Sequence, residues 1–390
     1  MAINKKFYKS HFFLFVLIIL VFYLSFHKNE KAESQIIEAK FSDLPGWIET
    51  DILPSLKSFE QSCKYILRNI HREKKKDFLL EVYKESYVKF CNALSNVKTS
   101  NEIKLLIEDN FYPAYLSSNE TLFTGYVELE IKGRLNFSHQ EAPNAVPIFK
   151  MPPNIIKVDL EKFGPEYKEK TITGMVIKNN FVPTPSRKTI EDQEMFNEHI
   201  LAYIDDPALA YFLHIQGSGV ITLPSGETLS VGYAGDNGKS YYSIGKELIE
   251  RGFIEKENMS MQAILNWMKK NEKEAFNLMQ KNNRFIFFKE RNNLESPKGS
   301  SGADVTPMYS AAIDNKFIPY HLPIWAQVDN FHINRANKKL TNIFIAQDTG
   351  SAIKGFARMD LFLGKGKEAE IIAGNLKSSG KMWALIPKGN

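Results

Sequence analysis

Three aspartates stand beside glycines or turn formers toward the C-terminus: Asp314 in AAIDNKFIP, Asp348 in AQDTGSAIKG and Asp360 in RMDLFLGKG. Carboxyls grouped in this way suit general acid–base work, in which one side chain gives a proton to a leaving oxygen or takes one from a nucleophile. Asp-Thr-Gly is also the sequence that aspartic proteases use, but those enzymes need two aspartates sharing a proton. Only one such triplet occurs, so a single-chain protease does not follow. Each Asp taken singly is better explained by a turn-capping role. Their concentration on strand-like segments of one region is what favours chemistry.

A second stretch, Tyr203 to Gly245 (YIDDPALAYFLHIQGSGVITLPSGETLSVGYAGDNGKSYYSIG), interleaves aromatic, amide and glycine residues with few charges. That mixture suits sugars, because aromatic faces stack on pyranose C–H groups and amides share hydrogen bonds with hydroxyls. A tightly turned β domain with an aromatic core has the same composition. No GxGxxG, P-loop, HExxH or GxSxG is present, which removes the usual supports for nucleotide, zinc-protease and serine-hydrolase readings. Eight histidines form no metal-like pair and two cysteines cannot build a structural zinc site, so neither metal nor cofactor is expected. A net charge of +5 without a dense Lys/Arg block does not call for nucleic acid, and none is expected as a partner.

The elements that must position these residues fall into zones. A chain of 390 residues calls for two domains, or one domain with a large insertion, and 43% hydrophobic residues can fill their cores. Residues 35 to about 118 read as mainly helical. One stripe runs Leu56, Phe59, Cys63, Ile66, Leu67, Ile70 and a second Leu80, Tyr83, Tyr87, Phe90, Cys91, Leu94, with a further amphipathic run around Ile103 to Phe111. A bridge between Cys63 and Cys91 and a pair of free buried thiols both fit this pattern. From Leu122 the texture becomes strand-like, with a hairpin at Pro224-Ser225-Gly226. Ser243 predicts a cap for a helix closed by Gly252, and Ser260 a cap for the next. Asn292 to Gly302, rich in turn formers, marks the best internal boundary, and the remainder is again strand-rich.

At the start, Lys5, Lys6 and Lys9 precede an uncharged apolar run, Phe12 to Phe26, and a polar exit. This is an export signal. Fifteen residues rise about 22 Å as a helix, short of a bilayer core of roughly 30 Å, which favours a cleaved signal; the lack of a small-x-small site favours an uncleaved anchor. No cysteine follows the run, so lipoprotein processing is not expected. Residence in the periplasm follows, soluble or tethered to the inner membrane.

The strings TGYVELEIKGR (Thr124 to Arg134), PIFKMPP, DDPALAYFLHIQGSG, GYAGDNG, SIGKELIERG, NMSMQAI, RFIFFKE and QDTGSAIKG…DLFLGKG, in order over roughly Thr121 to Pro387, closely resemble the MltA family. These are membrane-bound lytic murein transglycosylases of Gram-negative bacteria. The resemblance implies a mainly β, α+β fold. Residues 35–126 plus 294–390 would form a helical segment and a double-psi β-barrel (3D) catalytic domain. Residues 127–293 would form an inserted β-rich glycan-binding domain, with a groove between the two.

It also implies the reaction: cleavage of the β-1,4 bond between N-acetylmuramic acid and N-acetylglucosamine in peptidoglycan glycan strands, leaving a 1,6-anhydromuramoyl end. Asp360 matches the catalytic acid, and Asp348 and Asp314 match supporting aspartates that orient it and set its charge. Tyr126, Glu128, Gln216, Ser218, Tyr233, Asn237 and Lys354 match positions expected to line the groove. Ordinary glycosidases need two carboxyls. An anhydro product needs no water, so one carboxyl can serve as acid and then as base, provided burial or a neighbouring anion keeps it protonated near neutrality. The chain departs from the family in lacking the lipobox cysteine and in carrying Glu128-Leu129 where relatives often have a proline. A non-catalytic glycan-binding module and a water-using glycoside hydrolase are the alternative readings.

Overall fold

The computed structural model describes residues 35–69, 83–118, 121–168, 170–291, 296–333, 336–350 and 352–389. The apolar N-terminal run and the expected boundary at Asn293 lie outside them. Among the described residues no helix is long and apolar enough to cross a membrane.

Helix α1 (Leu56–Asn69) buries Phe59, Cys63 and Ile66, and α2 (Lys84–Leu94) buries Tyr87, Phe90, Cys91 and Leu94. The two faces meet with the Phe59 and Phe90 rings 5.4 Å apart. Of the two readings open for the cysteines, the structure shows the disulfide Cys63–Cys91. Leu67, expected on the buried stripe, is instead exposed, because Ser58 and Ser62 complete the inward face of α1. Ile70 and Leu80 lie outside the described residues. Helix α3 (Ser100–Asn110) opens on a capping box between Thr99 and Glu102.

The region to 118 is less helical than its stripes predict. Strand β1 (Gln35–Glu38) pairs antiparallel with β2 (Phe111–Ser117), which also pairs with the C-terminal strand. Phe111, Ala114 and Leu116 turn inward on β2. Its aromatic-rich sequence suits a pleated, half-buried surface.

The next strand, β3 (Leu122–Arg134), is the spine of the molecule. After it come β4 (Val146–Phe149), β5 (Ile155–Asp159), β6 (Thr171–Ile177), β7 (Asn180–Pro183) and α4 (Arg187–Asp192). Then follow β8 (Ile200–Ile204), α5 (Pro207–Gln216), β9 (Ser218–Thr222) and β10 (Thr228–Asp236). Helices α6 (Ile244–Glu250), α7 (Met261–Lys270) and α8 (Glu272–Lys281) lead to β11 (Ile286–Glu290). The caps fall where the sequence predicts: Ser243 accepts from the Lys246 N–H, Ser260 from the Ala263 N–H, and Gly252 has φ 71°. The hairpin joining β9 and β10 turns at Gly226, at φ 85°.

The C-terminal strands are β12 (Ser310–Ile313), β13 (Pro323–Ile333), β14 (Ala336–Asp348), β15 (Arg358–Lys365), β16 (Lys377–Ser378) and β17 (Gly380–Pro387), with α9 (Lys367–Asn375) after β15. One sheet path runs β1-β2-β17-β13-β14-β12-β15-β3-β9-β10-β11, while β5, β6 and β7 form a separate sheet. Along its first half β3 pairs parallel with β15, and from Leu129 to Lys132 it pairs parallel with β9. The result is a mixed chain of strands and helices, as expected.

Candidate active site

Four strands place the polar residues side by side. Asp348 on β14 lies opposite Ala312 on β12, Ala312 lies opposite Asp360 on β15, and Asp360 lies opposite Thr124 on β3. Register partners project from the same face of a sheet, so both carboxyls and the Thr124 hydroxyl emerge together. Alanine is small enough to leave the space between the two aspartates open. A bulge on β14 makes this alignment: Ala311 pairs with Ala346, but Ala312 pairs with Asp348. Without the extra residue, Gln347 would stand there instead.

Gln347 turns into the core. Its Nε2 donates to the Ser58 carbonyl at 2.9 Å and to Ser62 Oγ at 2.8 Å. Its Oε1 accepts from Ser58 Oγ at 2.9 Å and from Ser310 Oγ. The serines that displaced Leu67 from the buried face of α1 therefore anchor the end of β14.

Asp348 is held on both oxygens. Oδ1 accepts from the Ser300 N–H at 2.9 Å, from Ser300 Oγ at 2.7 Å and from the Thr349 N–H at 2.8 Å. Oδ2 accepts from the Tyr126 hydroxyl at 3.0 Å. Ser300 can reach it because Gly299 passes against β14, where a Cβ would meet the Gln347 carbonyl oxygen at 2.2 Å. Asp360 is held on one oxygen: Oδ1 accepts from the Thr124 hydroxyl. Among the described residues no donor reaches Asp360 Oδ2. Thr124 Oγ1 in turn accepts from Arg358 Nη2 at 2.8 Å, while Arg358 Nη1 donates to the Met359 and Leu122 carbonyls at 2.9 and 3.3 Å.

Both carboxyls are half-buried. Protein packs around them closely enough for desolvation to dominate, yet each keeps a surface that a ligand can touch. Burial pushes Asp360 above the usual carboxylate range; Arg358 and the Thr124 hydrogen bond oppose this, and the Asp348 charge reinforces it. Burial also raises Asp348, against the pull of Ser300, Thr349 and Tyr126. Tyr126 is driven well above an ordinary phenol by burial and then by the charges of Asp348 and Asp360. It is a fixed donor.

The other residues singled out by sequence serve varied ends. Asp314 is buried at the end of β12, where Oδ2 accepts from the Gly355 N–H at 3.0 Å and Oδ1 from the Lys316 N–H at 3.3 Å. It ties down the loop between β14 and β15. Glu128 is buried in an ion pair with Arg291. Asn237 is fully buried: Nδ2 donates to the Pro185 and Asn283 carbonyls, and Oδ1 accepts from the Phe285 N–H. Its amide is spent on the loop. Tyr233 is 47% exposed with its hydroxyl donating to Asp236 at 2.7 Å, Gln216 ends α5, Ser218 opens β9, and Lys354 is exposed. Thr124, Ala312, Arg358, Ser300 and Gln347 were not singled out. For Ser300 the signal was the glycine pair around it, which reads as an ordinary turn.

Two family models match the chain: the MltA specific insert domain over residues 122–289 and the 3D domain over residues 309–386. Together they span more than half of it. The chain belongs to the MltA family. The membrane-bound lytic murein transglycosylase A of Vibrio cholerae serotype O1 is 36% identical over 190 residues, 47% of this chain and 51% of the relative. The chain thus spans about half the length of the curated relatives it matches. The crystal structure of membrane-bound lytic murein transglycosylase from Agrobacterium tumefaciens superposes with a TM-score of 0.79 at 23% identity, over 90% of this chain and 98% of that one. The structure of Escherichia coli MltA with bound chitohexaose gives 0.62 at 25% identity, over 88% and 93%. For an MltA family member, the row Asp348–Ala312–Asp360–Thr124 lies where the two matched segments adjoin, since Thr124 belongs to the first and the rest to the second.

Proposed function

We propose that this chain is a lytic transglycosylase that cleaves the β-1,4 bond between N-acetylmuramic acid and N-acetylglucosamine in peptidoglycan, with Asp360 as acid and then base. One observation carries the reading. Asp348 has donors on both oxygens, which favours its ionised form, whereas Asp360 has Oδ2 unengaged beside that charge. In such a pair the protons come off in two coupled steps, and Asp360 is the member suited to hold one near neutrality.

Asp360 Oδ2–H gives its proton to the bridging oxygen as the muramoyl C1–O bond breaks. The C6 hydroxyl of the same ring attacks C1 and returns its proton to Asp360. The carboxyl ends as it began, and no water is consumed. Such proton transfer contributes about 10²–10⁴-fold in rate. The names of the relatives support murein as the substrate, and the chitohexaose held by the E. coli structure supports a glycan ligand.

We further read residues 35–126 with 294–390 as the double-psi barrel unit and 127–293 as the insert. Tyr126, Gln216, Ser218, Tyr233 and Lys354 are retained as groove candidates; Asp314 keeps a supporting role through the loop it holds, and Glu128 and Asn237 are reassigned from the groove to support. The basic and apolar N-terminal run supports export to the periplasm, with the protein soluble there or tethered to the inner membrane. Mass spectrometry of purified sacculi digested by the wild type and by Asp360→Asn tests the proposal. Anhydromuramoyl ends from the wild type alone are expected. Reducing ends would mean a water-using hydrolase, and an untouched sacculus a binding module.

A further inference from the structure

Arg358 donates to the same hydroxyl that donates to Asp360. A threonine hydroxyl has one hydrogen and two lone pairs. With the guanidinium Nη2 on one lone pair at 2.8 Å, the hydrogen points away from the cation, toward the acceptor on its other side, Asp360 Oδ1. We infer that Arg358 is a positioning residue that commits the Thr124 hydroxyl to donation and thereby fixes Oδ2 as the oxygen of Asp360 that carries the transferable proton. The inference rests on Asp360 being the acid and goes beyond it by assigning the proton to one oxygen and naming the residue responsible.

The surroundings fit such a device. Arg358 also donates to the Met359 and Leu122 carbonyls, so the β15 and β3 backbones both fix its plane. The Met359 carbonyl adjoins Asp360, and Leu122 lies two residues before Thr124. Arginine suits this task because its planar donors are rigidly disposed, whereas a lysine ammonium is a point charge on a flexible stem. The charged or titratable groups that act on Asp360 are Arg358 on its own strand, Asp348 from β14 and Tyr126 from β3; β12 contributes the neutral Ala312, and Lys377 of β16, the register partner of Thr124, is exposed with its Nζ donating to the Lys256 carbonyl at 3.1 Å. Without the guanidinium, the Thr124 hydroxyl is free to rotate and accept from Asp360 Oδ1–H, which puts the proton on the wrong oxygen. The same change removes the cation that holds Asp360 down.

The test compares wild type, Arg358→Met and Arg358→Lys as intact proteins on purified sacculi, scoring anhydromuropeptide release against pH. A parallel titration follows the Asp360 carboxyl by carbon-13 NMR, with Asp360→Asn for assignment. Arg358→Met should lose about tenfold in kcat, a part of the usual general-acid contribution, with KM unchanged. Both its alkaline limb and the carboxyl titration should move to higher pH. Arg358→Lys, which keeps the charge, should return the limb and the titration toward wild type while recovering only part of kcat. A misfolding defect would lower the active fraction without moving either. If Arg358→Met keeps wild-type kcat, limb and titration, the inference is overturned while the transglycosylase reading stands. Absence of anhydro products from the wild type would overturn both.

Discussion

Asp348 and Asp360 share one register partner, Ala312, which faces the first across a parallel ladder and the second across an antiparallel one. The carboxyls are therefore spaced by a single methyl-bearing residue, and their separation is set by strand pairing, not by side-chain choice.

That spacing makes Ala312 sensitive to size. Ala312→Leu should cost about 1–3 kcal/mol from overpacking at a buried position, read by urea denaturation. Activity should fall further than the stability loss explains, because the added atoms enter the gap between the carboxyls. Full activity in a folded variant would show that the gap is not used.

The raised Asp360 carboxyl has a sign in stability. A group whose folded value lies above its ordinary 3.8 stabilises the fold fully only below that value and loses the contribution as pH rises through the folded one. Asp360→Asn escapes this loss and can still offer its amide oxygen to Thr124. Its melting temperature should exceed wild type at pH 7 and converge with it near pH 4, and no anhydromuropeptide release is expected from it at either pH. A lower melting point at pH 7 would contradict the direction of the shift.

Arg291 and Glu128 should show the asymmetry of buried ion pairs. Arg291→Met removes the ion-pair partner of the buried Glu128 carboxyl, leaving only the Lys365 charge from β15 to oppose its burial, and should lose about 3 kcal/mol. Pairing it with Glu128→Leu should recover most of that loss in chemical denaturation. Equal losses in the single and double variants would show that Arg291 acts through packing alone.

Opening the Cys63–Cys91 bridge releases a loop set by a sequence separation of 28. The double Cys→Ser variant should be about 3–4 kcal/mol less stable by the chain-entropy relation, measured as a lower denaturation midpoint. Activity at low temperature should persist, since neither sulfur touches the carboxyls.

The features legible in sequence were local ones. Ser243, Ser260 and Gly226 declare themselves within four residues of the backbone groups they serve, and the aspartates stand in compact strings. The partnership of Asp360 with Thr124 was hidden, because a parallel ladder joins residues 236 apart and no short-range pattern encodes its register. Gln347 was hidden by the bulge, which reverses the inward and outward sense that alternation would predict. Asn237 and Glu128 looked like ligands for the opposite reason. Their partners, Pro185, Asn283 and Arg291, lie far along the chain, so a polar residue already satisfied could not be told from one awaiting a sugar.

Strand β3 belongs at once to the neighbourhood of β15 and to that of β9. Neither half of the molecule could be excised at this strand without stripping the other of a central member. Exchange of segments between relatives would have to carry β3 with both neighbours or re-create two ladders at once. Its thirteen residues bind the histories of the two halves together.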